Sequence, residues 1–193
     1  MATRDRERWD ERHAAAGETV PAPPDALRGR EDLLPAAGCA LDVACGRGAV
    51  SVWLAGRGLH VDAVDASAVA IAHGSTLAGR NGAAERVRWW RHDLDAGLPA
   101  ACAGPYDVVV CQRFRDPALY AQLADRLRPG GLLVVTVLSE VGARPGPWRA
   151  AAGELASAFA ALEVLVQAEG DGEASLVARR PVSGPGSAPA ARR

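Results

Sequence analysis

The sequence predicts an α/β fold, a doubly wound, mostly parallel sheet of seven strands that ends in an antiparallel hairpin. Three observations carry that expectation. The stretch 40–58, ALDVACGRGAVSVWLAGRG, passes from an apolar segment through a small-residue loop into a helical pattern. Near-continuous apolar runs, VVV at 108–110 and LLVVTVL at 132–138, suit strands covered on both faces, as a parallel sheet requires. Strand-like and helix-like segments alternate over most of the chain, and that alternation winds a parallel sheet.

The elements follow in order. Residues 3–16 read as a helix of alternating charge, with Trp9 and His13 on one face at i, i+4 spacing. VPAPP at 20–24 ends it, and 25–34 reads as a second short helix. Residues 1–37 therefore form a helical leader packed on one domain, 38–180. The first strand, 39–43, leads to a helix over 49–57 with Gly58 just past its end. The second strand, 59–64, leads to a helix capped by Ser67 and closed by Asn81 and Gly82. A third strand spans 86–91 and a fourth 106–111, followed by a helix over 117–127 and, after RPGG, a fifth strand at 131–138. Residues 148–160 read as helix. Strands at 162–168 and 173–179 then flank EGDG, a hairpin turn. The tail 181–193, PVSGPGSAPAARR, offers little to bury and is expected to be disordered.

Composition narrows the function classes. Lys plus Arg is 22 against 23 for Asp plus Glu, a net charge of −1, so no global basic field recruits nucleic acid or an anionic membrane. No apolar run approaches the roughly 20 residues of a membrane span. Cys39, Cys45, Cys102 and Cys111 have neither metal-ligand spacing nor a disulfide-scaffold pattern, which suits reduced thiols and a cytoplasmic location. No metal site is implied.

The loop ACGRG at 44–48 is the first candidate site. Gly46 and Gly48 let backbone N–H groups and a helix N-terminus approach a ligand closely. Asp65 lies 65 − 42 = 23 residues beyond Asp42, at the end of the second strand, where an acid can accept from ribose hydroxyls. That arrangement also fits NAD. Asp93 ends the third strand, where a carboxylate can accept from an adenine amine, with Leu94 against the ring. A single such Asp is ordinarily a cap or a solvated turn residue; three acids at three successive strand ends are a pattern.

LDVACGRG, VDAVDAS, RHDLD, YDVVVC and LRPGGLLVV, in this order and spacing, resemble the successive motifs of the class I S-adenosylmethionine-dependent methyltransferases. The resemblance covers about 38–180 and implies a Rossmann-like sheet with S-adenosyl-L-methionine as methyl donor. It implies that Ala44, Cys45, Gly46 and Gly48 contact the donor's methionine part and that Asp42 orients its ammonium. Asp65, with Ala66, would hold the ribose, Asp93 and Leu94 the adenine, and Cys111 and Gln112 would face the sulfonium and the acceptor. Ala44 stands where the family commonly has glycine, and it is expected to make the turn at negative φ. Val50 and Ser51 replace the third glycine of a pyrophosphate loop, which disfavours NAD.

The fourth strand is followed by CQRFR rather than the Asp/Asn-Pro-Pro-Tyr/Phe of amino-methylating members, so a base or glutamine nitrogen is not the expected acceptor. The cover at 139–147 is short and implies a small molecule. Gln112, Arg113 and His13 are the positioning candidates. Arg113 and Arg115 point to a locally positive pocket for a soft or anionic nucleophile. Within the family, Trp9, His13 and the ending EASLVARRP resemble the tellurite-resistance-type small-molecule methyltransferases. A nicotinamide-dependent oxidoreductase and a non-catalytic donor-binding module remain the alternatives. Monomer and homodimer are equally compatible with the sequence.

Overall fold

The computed structural model describes residues 3–182, with side chains from Glu7 onward. Its elements are α1 (Thr3–Ala15), β1 (Gly38–Val43), α2 (Ala49–Gly56), β2 (Leu59–Asp65), α3 (Ala68–Arg80), β3 (Val87–Arg91), β4 (Tyr106–Gln112), α4 (Tyr120–Asp125), β5 (Leu127–Leu138), α5 (Glu154–Ala158), β6 (Glu163–Gly170) and β7 (Glu173–Arg179). The strands form one seven-stranded sheet in the order β3-β2-β1-β4-β5-β7-β6. Only β7 runs against its neighbours, antiparallel to both β5 and β6. The hairpin closes through Asp171 and Gly172 at φ 51° and 82°, the paired left-handed conformations that match a two-residue turn to the twist of its strands.

Two apolar layers cover the sheet. On one face Val52, Leu54 and Leu77 of α2 and α3, with Leu27 of the leader, pack on Ala40, Val61, Val108 and Val134. On the other, Leu94, Leu98, Leu119, Leu123 and Phe159 pack on Leu41, Val64, Val109 and Leu133. This alternation along each strand is the period of two that a pleated strand imposes. The second layer also encloses a polar knot. Asp62, almost fully buried in β2, accepts from Arg88 Nε (2.8 Å) and Nη2 (2.9 Å), Trp90 Nε1 (2.9 Å) and Tyr106 Oη (2.8 Å). Four donors on one carboxylate satisfy a charge that burial alone would make costly.

Ser67 caps α3 as its position suggests, accepting from Ala70 N at 3.0 Å. Other expectations change. Residues 25–34 form two separate 3₁₀ turns, Asp25–Leu27 and Glu31–Leu33, rather than a helix. The helix expected over 117–127 is a 3₁₀ turn, Pro117–Leu119, running into α4, and β5 already begins at Leu127, with a register shift where RPGG enters the sheet. The helix expected over 148–160 shrinks to α5, and Trp148 lies outside it, two-thirds exposed. Proline and glycine around it, together with Ser139 pairing Ala150 across the loop, keep that segment irregular. The tail expected to be disordered lies, beyond Val182, outside the described residues.

Candidate functional site

The crevice is set by topology. Strands β1 and β2 feed helices on one face of the sheet, whereas β3 and β4 feed Leu94, Leu119 and α4 on the other, so the chain parts between the neighbours β1 and β4. Ligands of open α/β sheets bind at such a switch point, beyond the carboxyl ends of the strands.

The loop after β1 fills one side of it. Cys45 N donates to Val64 O and Gly48 N to Cys45 O, both at 3.0 Å. Gly48 adopts φ 78°, and a Cβ there would lie 2.5 Å from the Trp89 ring, so only glycine fits. Ala44 corrects an expectation: it sits at φ 55°, not at negative φ. A left-handed alanine costs roughly 1–2 kcal/mol, which the surrounding loop and the packing of Ala44 against the second apolar layer must offset.

Asp65 ties this loop to β2. Its Oδ2 accepts from Gly46 N and its Oδ1 from Ser67 N, each at 2.8 Å. Each oxygen retains a lone pair for a further donor. Asp42 lies deeper, 2% exposed, with Oδ2 accepting from Ser51 Oγ at 2.5 Å. Burial, reinforced by the nearby Asp65 charge, raises its pKa to about 7. Asp93 closes β3's end and accepts from Asp95 N at 3.1 Å through Oδ1, with Leu94 buried beside it and Ala66 following Asp65 half-buried. Of the three strand-end acids, Asp65 binds the loop directly and Asp42 lies beneath it, hydrogen-bonded to Ser51 at the start of α2.

Helix α1 lies across the loop's open side, a placement the sequence did not specify. His13 reaches within 3.5 Å of the position a Gly46 Cβ would occupy, and it stacks on Trp9 with ring centroids 6.0 Å apart. Burial lowers the His13 pKa, against the opposing pull of Asp65, so the imidazole is neutral near pH 7. Asp10 accepts from Ser67 Oγ and from Val69 N (3.4 Å) at the start of α3. Arg47 latches the other end: Nε donates to His73 Nδ1 at 2.8 Å and Nη1 to the carbonyls of Ala16 (3.0 Å) and Gly17. Neither residue had a sequence signal beyond position.

The β4 side differs most from expectation. Arg115 is half-buried in a bidentate pair with Glu154, at 2.8 and 2.6 Å, and Tyr120 Oη donates to the same carboxylate at 2.8 Å. Arg113, at φ 56°, pairs with Glu173 at 3.0 Å. The locally positive pocket expected here is thus neutralised by partners from α5 and β7, remote in sequence. Gln112 Nε2 donates to Cys111 O at 3.2 Å. The Cys111 side chain turns into the core, its Sγ 3.5 Å from Phe114 O, and burial pushes its pKa up, which leaves a thiol. Cys45 is held as a thiol for the same reason. No cluster among the described residues has the make-up of a metal site.

Residues 40–131 match the family model described as a methyltransferase domain. The chain is 34% identical over 106 residues to a ribosomal RNA small subunit methyltransferase C of Alcanivorax borkumensis, covering 50% of this chain and 31% of that protein. It therefore spans about a third of that relative's length. Among solved structures, it resembles TehB from Haemophilus influenzae at TM-score 0.71 and 18% identity, over 89% of this chain and 67% of that one. It also resembles geranyl diphosphate C-methyltransferase from Streptomyces coelicolor, solved with Mg2+, geranyl diphosphate and S-adenosyl-L-homocysteine, at TM-score 0.68 and 16% identity, over 93% and 100%.

Proposed function

We propose that this chain, whose fold is that of the class I S-adenosylmethionine-dependent methyltransferases, transfers the methyl group of S-adenosyl-L-methionine to a small-molecule acceptor. The observation that carries the reading is the Asp65 carboxylate bound to Gly46 N of the loop 44–48 at the switch point, with Asp42 buried at the end of β1 beneath it.

The residues present suit this donor. Asp65 keeps acceptor capacity towards ribose hydroxyls while fixing Gly46, and Ala66 lies beside it. Asp93 and Leu94 form the adenine end, and Ala44, Cys45, Gly46 and Gly48 the methionine end. Asp42 sits beneath the loop, where an ammonium would favour its ionised form. Cys111 contributes a small wall. When bound, the donor supplies an electrophilic methyl on a sulfonium whose departure leaves a neutral sulfide. What the chain contributes is alignment and exclusion of water, with α1 closing over the loop and Gln112 at the end of β4. Neutral His13, beside Gly46, carries the free ring lone pair that a proton acceptor needs and remains a positioning candidate.

The small-molecule reading rests on the net charge of −1, which offers no basic field to a nucleic acid, and on the CQRFR that follows β4 in place of the motif of amino-methylating members. The similarity to an RNA methyltransferase supports the competing reading, an RNA acceptor, yet Arg113 and Arg115 are both paired with carboxylates rather than presented to phosphates. We place the leader, 1–37, within the same folded unit, since Arg47 and Ser67 bind it. Four free cysteines suit a reducing, cytoplasmic setting, and no described helix is long and apolar enough to cross a membrane.

Thermal denaturation with ligands tests this. S-adenosylmethionine or S-adenosylhomocysteine at about 100 times its Kd should stabilise the fold by about 2.7 kcal/mol. A shift with NAD and none with either sulfur ligand would reverse the assignment.

A further inference from the structure

Two adjacent rungs at the carboxyl end of the sheet differ in kind. Val110, Val134 and Val177 pair across β4, β5 and β7, each fully buried and each on the α2 face. One rung higher on that face stand Gln112, Thr136 and Ser175, paired in the same register. Side chains turn from wholly apolar to wholly polar within one step, where the strands leave the core for the crevice.

Thr136 is the anomaly. It is 5% exposed, and its Oγ1 makes no hydrogen bond among the described residues. Its backbone carbonyl is already engaged by Arg113 N at 2.7 Å, so the ladder is complete without the hydroxyl. Valine would fill the same volume with no orphan polar atom, and an unsatisfied buried hydroxyl is a standing penalty that folding alone gives no reason to keep. The neighbours are half-buried and share its chemistry. Gln112 has an amide oxygen beside its engaged Nε2, and Ser175 brings a second hydroxyl. None of the three is charged, and the nearby guanidinium of Arg113 is committed to Glu173.

We propose that Gln112, Thr136 and Ser175 form the polar floor of the acceptor subsite, with Thr136 Oγ1 hydrogen-bonding an uncharged hydroxyl- or carbonyl-bearing acceptor. This rests on the methyltransferase reading and deepens it, replacing an anionic acceptor with a neutral, oxygen-bearing one. Thr136 acts as a specificity residue: it holds the acceptor's polar group, and the methyl transfer itself proceeds at the acceptor's nucleophilic atom, whose new bond to carbon forms as the carbon–sulfur bond breaks. A proton on that atom leaves to solvent.

The test uses the full chain with S-adenosylmethionine and matched acceptor pairs, catechol against protocatechuate and 2-mercaptoethanol against 3-mercaptopropionate. Release of S-adenosylhomocysteine is measured for wild type, Thr136→Val and Thr136→Ser. The neutral member of at least one pair should turn over with kcat/KM at least tenfold above its anionic counterpart. Thr136→Val should lose at least tenfold in kcat/KM for that acceptor, carried mainly by KM, with Kd for S-adenosylhomocysteine within twofold of wild type and Tm unchanged or raised. Thr136→Ser, which retains the hydroxyl, should keep most of the activity. Preference for the anionic members, full activity in Thr136→Val, or no acceptor-dependent turnover of any probe by a donor-binding wild type each overturns the inference and leaves donor binding standing. Failure to bind S-adenosylhomocysteine overturns the reading beneath it.

Discussion

The Asp65 carboxylate accepts from Gly46 N through one oxygen and from Ser67 N through the other, both at 2.8 Å, so one side chain joins the glycine loop of β1 to the helix that follows β2. Under the proposed function the same carboxylate would hold ribose hydroxyls. Asp65→Ala should weaken S-adenosylmethionine binding by about 1.5–3 kcal/mol, the scale of hydrogen bonds to a charged group, and Asp65→Asn by less because one oxygen acceptor survives. Titration calorimetry on the folded variants checks this; unchanged affinity in Asp65→Ala would make it a loop anchor only.

Asp42 gives the protein a pH dependence with a definite sign. Its folded pKa is raised to about 7, against an unfolded value near 3.9. Between those values the folded state binds the extra proton, so this carboxyl's contribution is fully present below about pH 4 and is lost as pH rises through 7. The slope is about 1.4 kcal/mol per pH unit, an upper limit of roughly 4 kcal/mol over the window. Asp42→Asn should flatten urea-unfolding stability over pH 5–7. Donor binding should tighten from pH 6 to 8 in wild type, as Asp42 ionises, and not in the variant.

The Asp62 knot should be worth more to the fold than any other single polar group named above. Removing a buried charge's partner, or the charge itself among four donors, typically costs about 3–5 kcal/mol. Asp62→Ala and Arg88→Ala should each lower the urea midpoint on this scale, the first by leaving the Trp90 and Tyr106 donors unpaired and the second by leaving the buried Asp62 carboxylate without a counter-charge. An unchanged midpoint in Arg88→Ala would show that Trp90 and Tyr106 alone satisfy the carboxylate.

Gly74 lies in α3, where alanine would ordinarily gain about 1 kcal/mol of helix propensity. Here a Cβ would meet the Trp89 ring at 2.5 Å, and overpacking of that kind costs about 1–3 kcal/mol. The steric term wins, so Gly74→Ala should be net destabilising. Because Trp89 also abuts Gly48, donor affinity should fall with it. A stabilised variant would show that the ring relocates freely.

Arg47 holds α1 closed through the Ala16 and Gly17 carbonyls. Arg47→Ala should raise the rate of proteolytic nicking over 16–24 and the donor's dissociation rate, each by about tenfold if one to two charged hydrogen bonds are lost. Limited proteolysis and stopped-flow release check the two together. Unaltered nicking would show that Asp10 and Trp9 suffice.

Sequence periodicity and punctuation determined the sheet. Apolar runs named the central strands, Ser67 named a cap, and Asp171 with Gly172 named the hairpin turn, because each depends on neighbours within a few residues. The acids at three strand ends were legible for the same reason: strand lengths fix which residues emerge at the crevice. Tertiary structure decided everything that required a remote partner. Glu154 and Glu173, tens of residues away, neutralise the arginines that locally suggested an anion site. Trp89 against Gly48 and Asp65 on Gly46 N constrain a loop in which Ala44 takes φ 55°, where local rules placed it at negative φ. The register of β4, β5 and β7 sets Gln112, Thr136 and Ser175 side by side, and burial turns one ordinary strand threonine into an orphaned hydroxyl. Local propensity acts over one turn or one strand, whereas charge pairing and burial act wherever the fold brings side chains together.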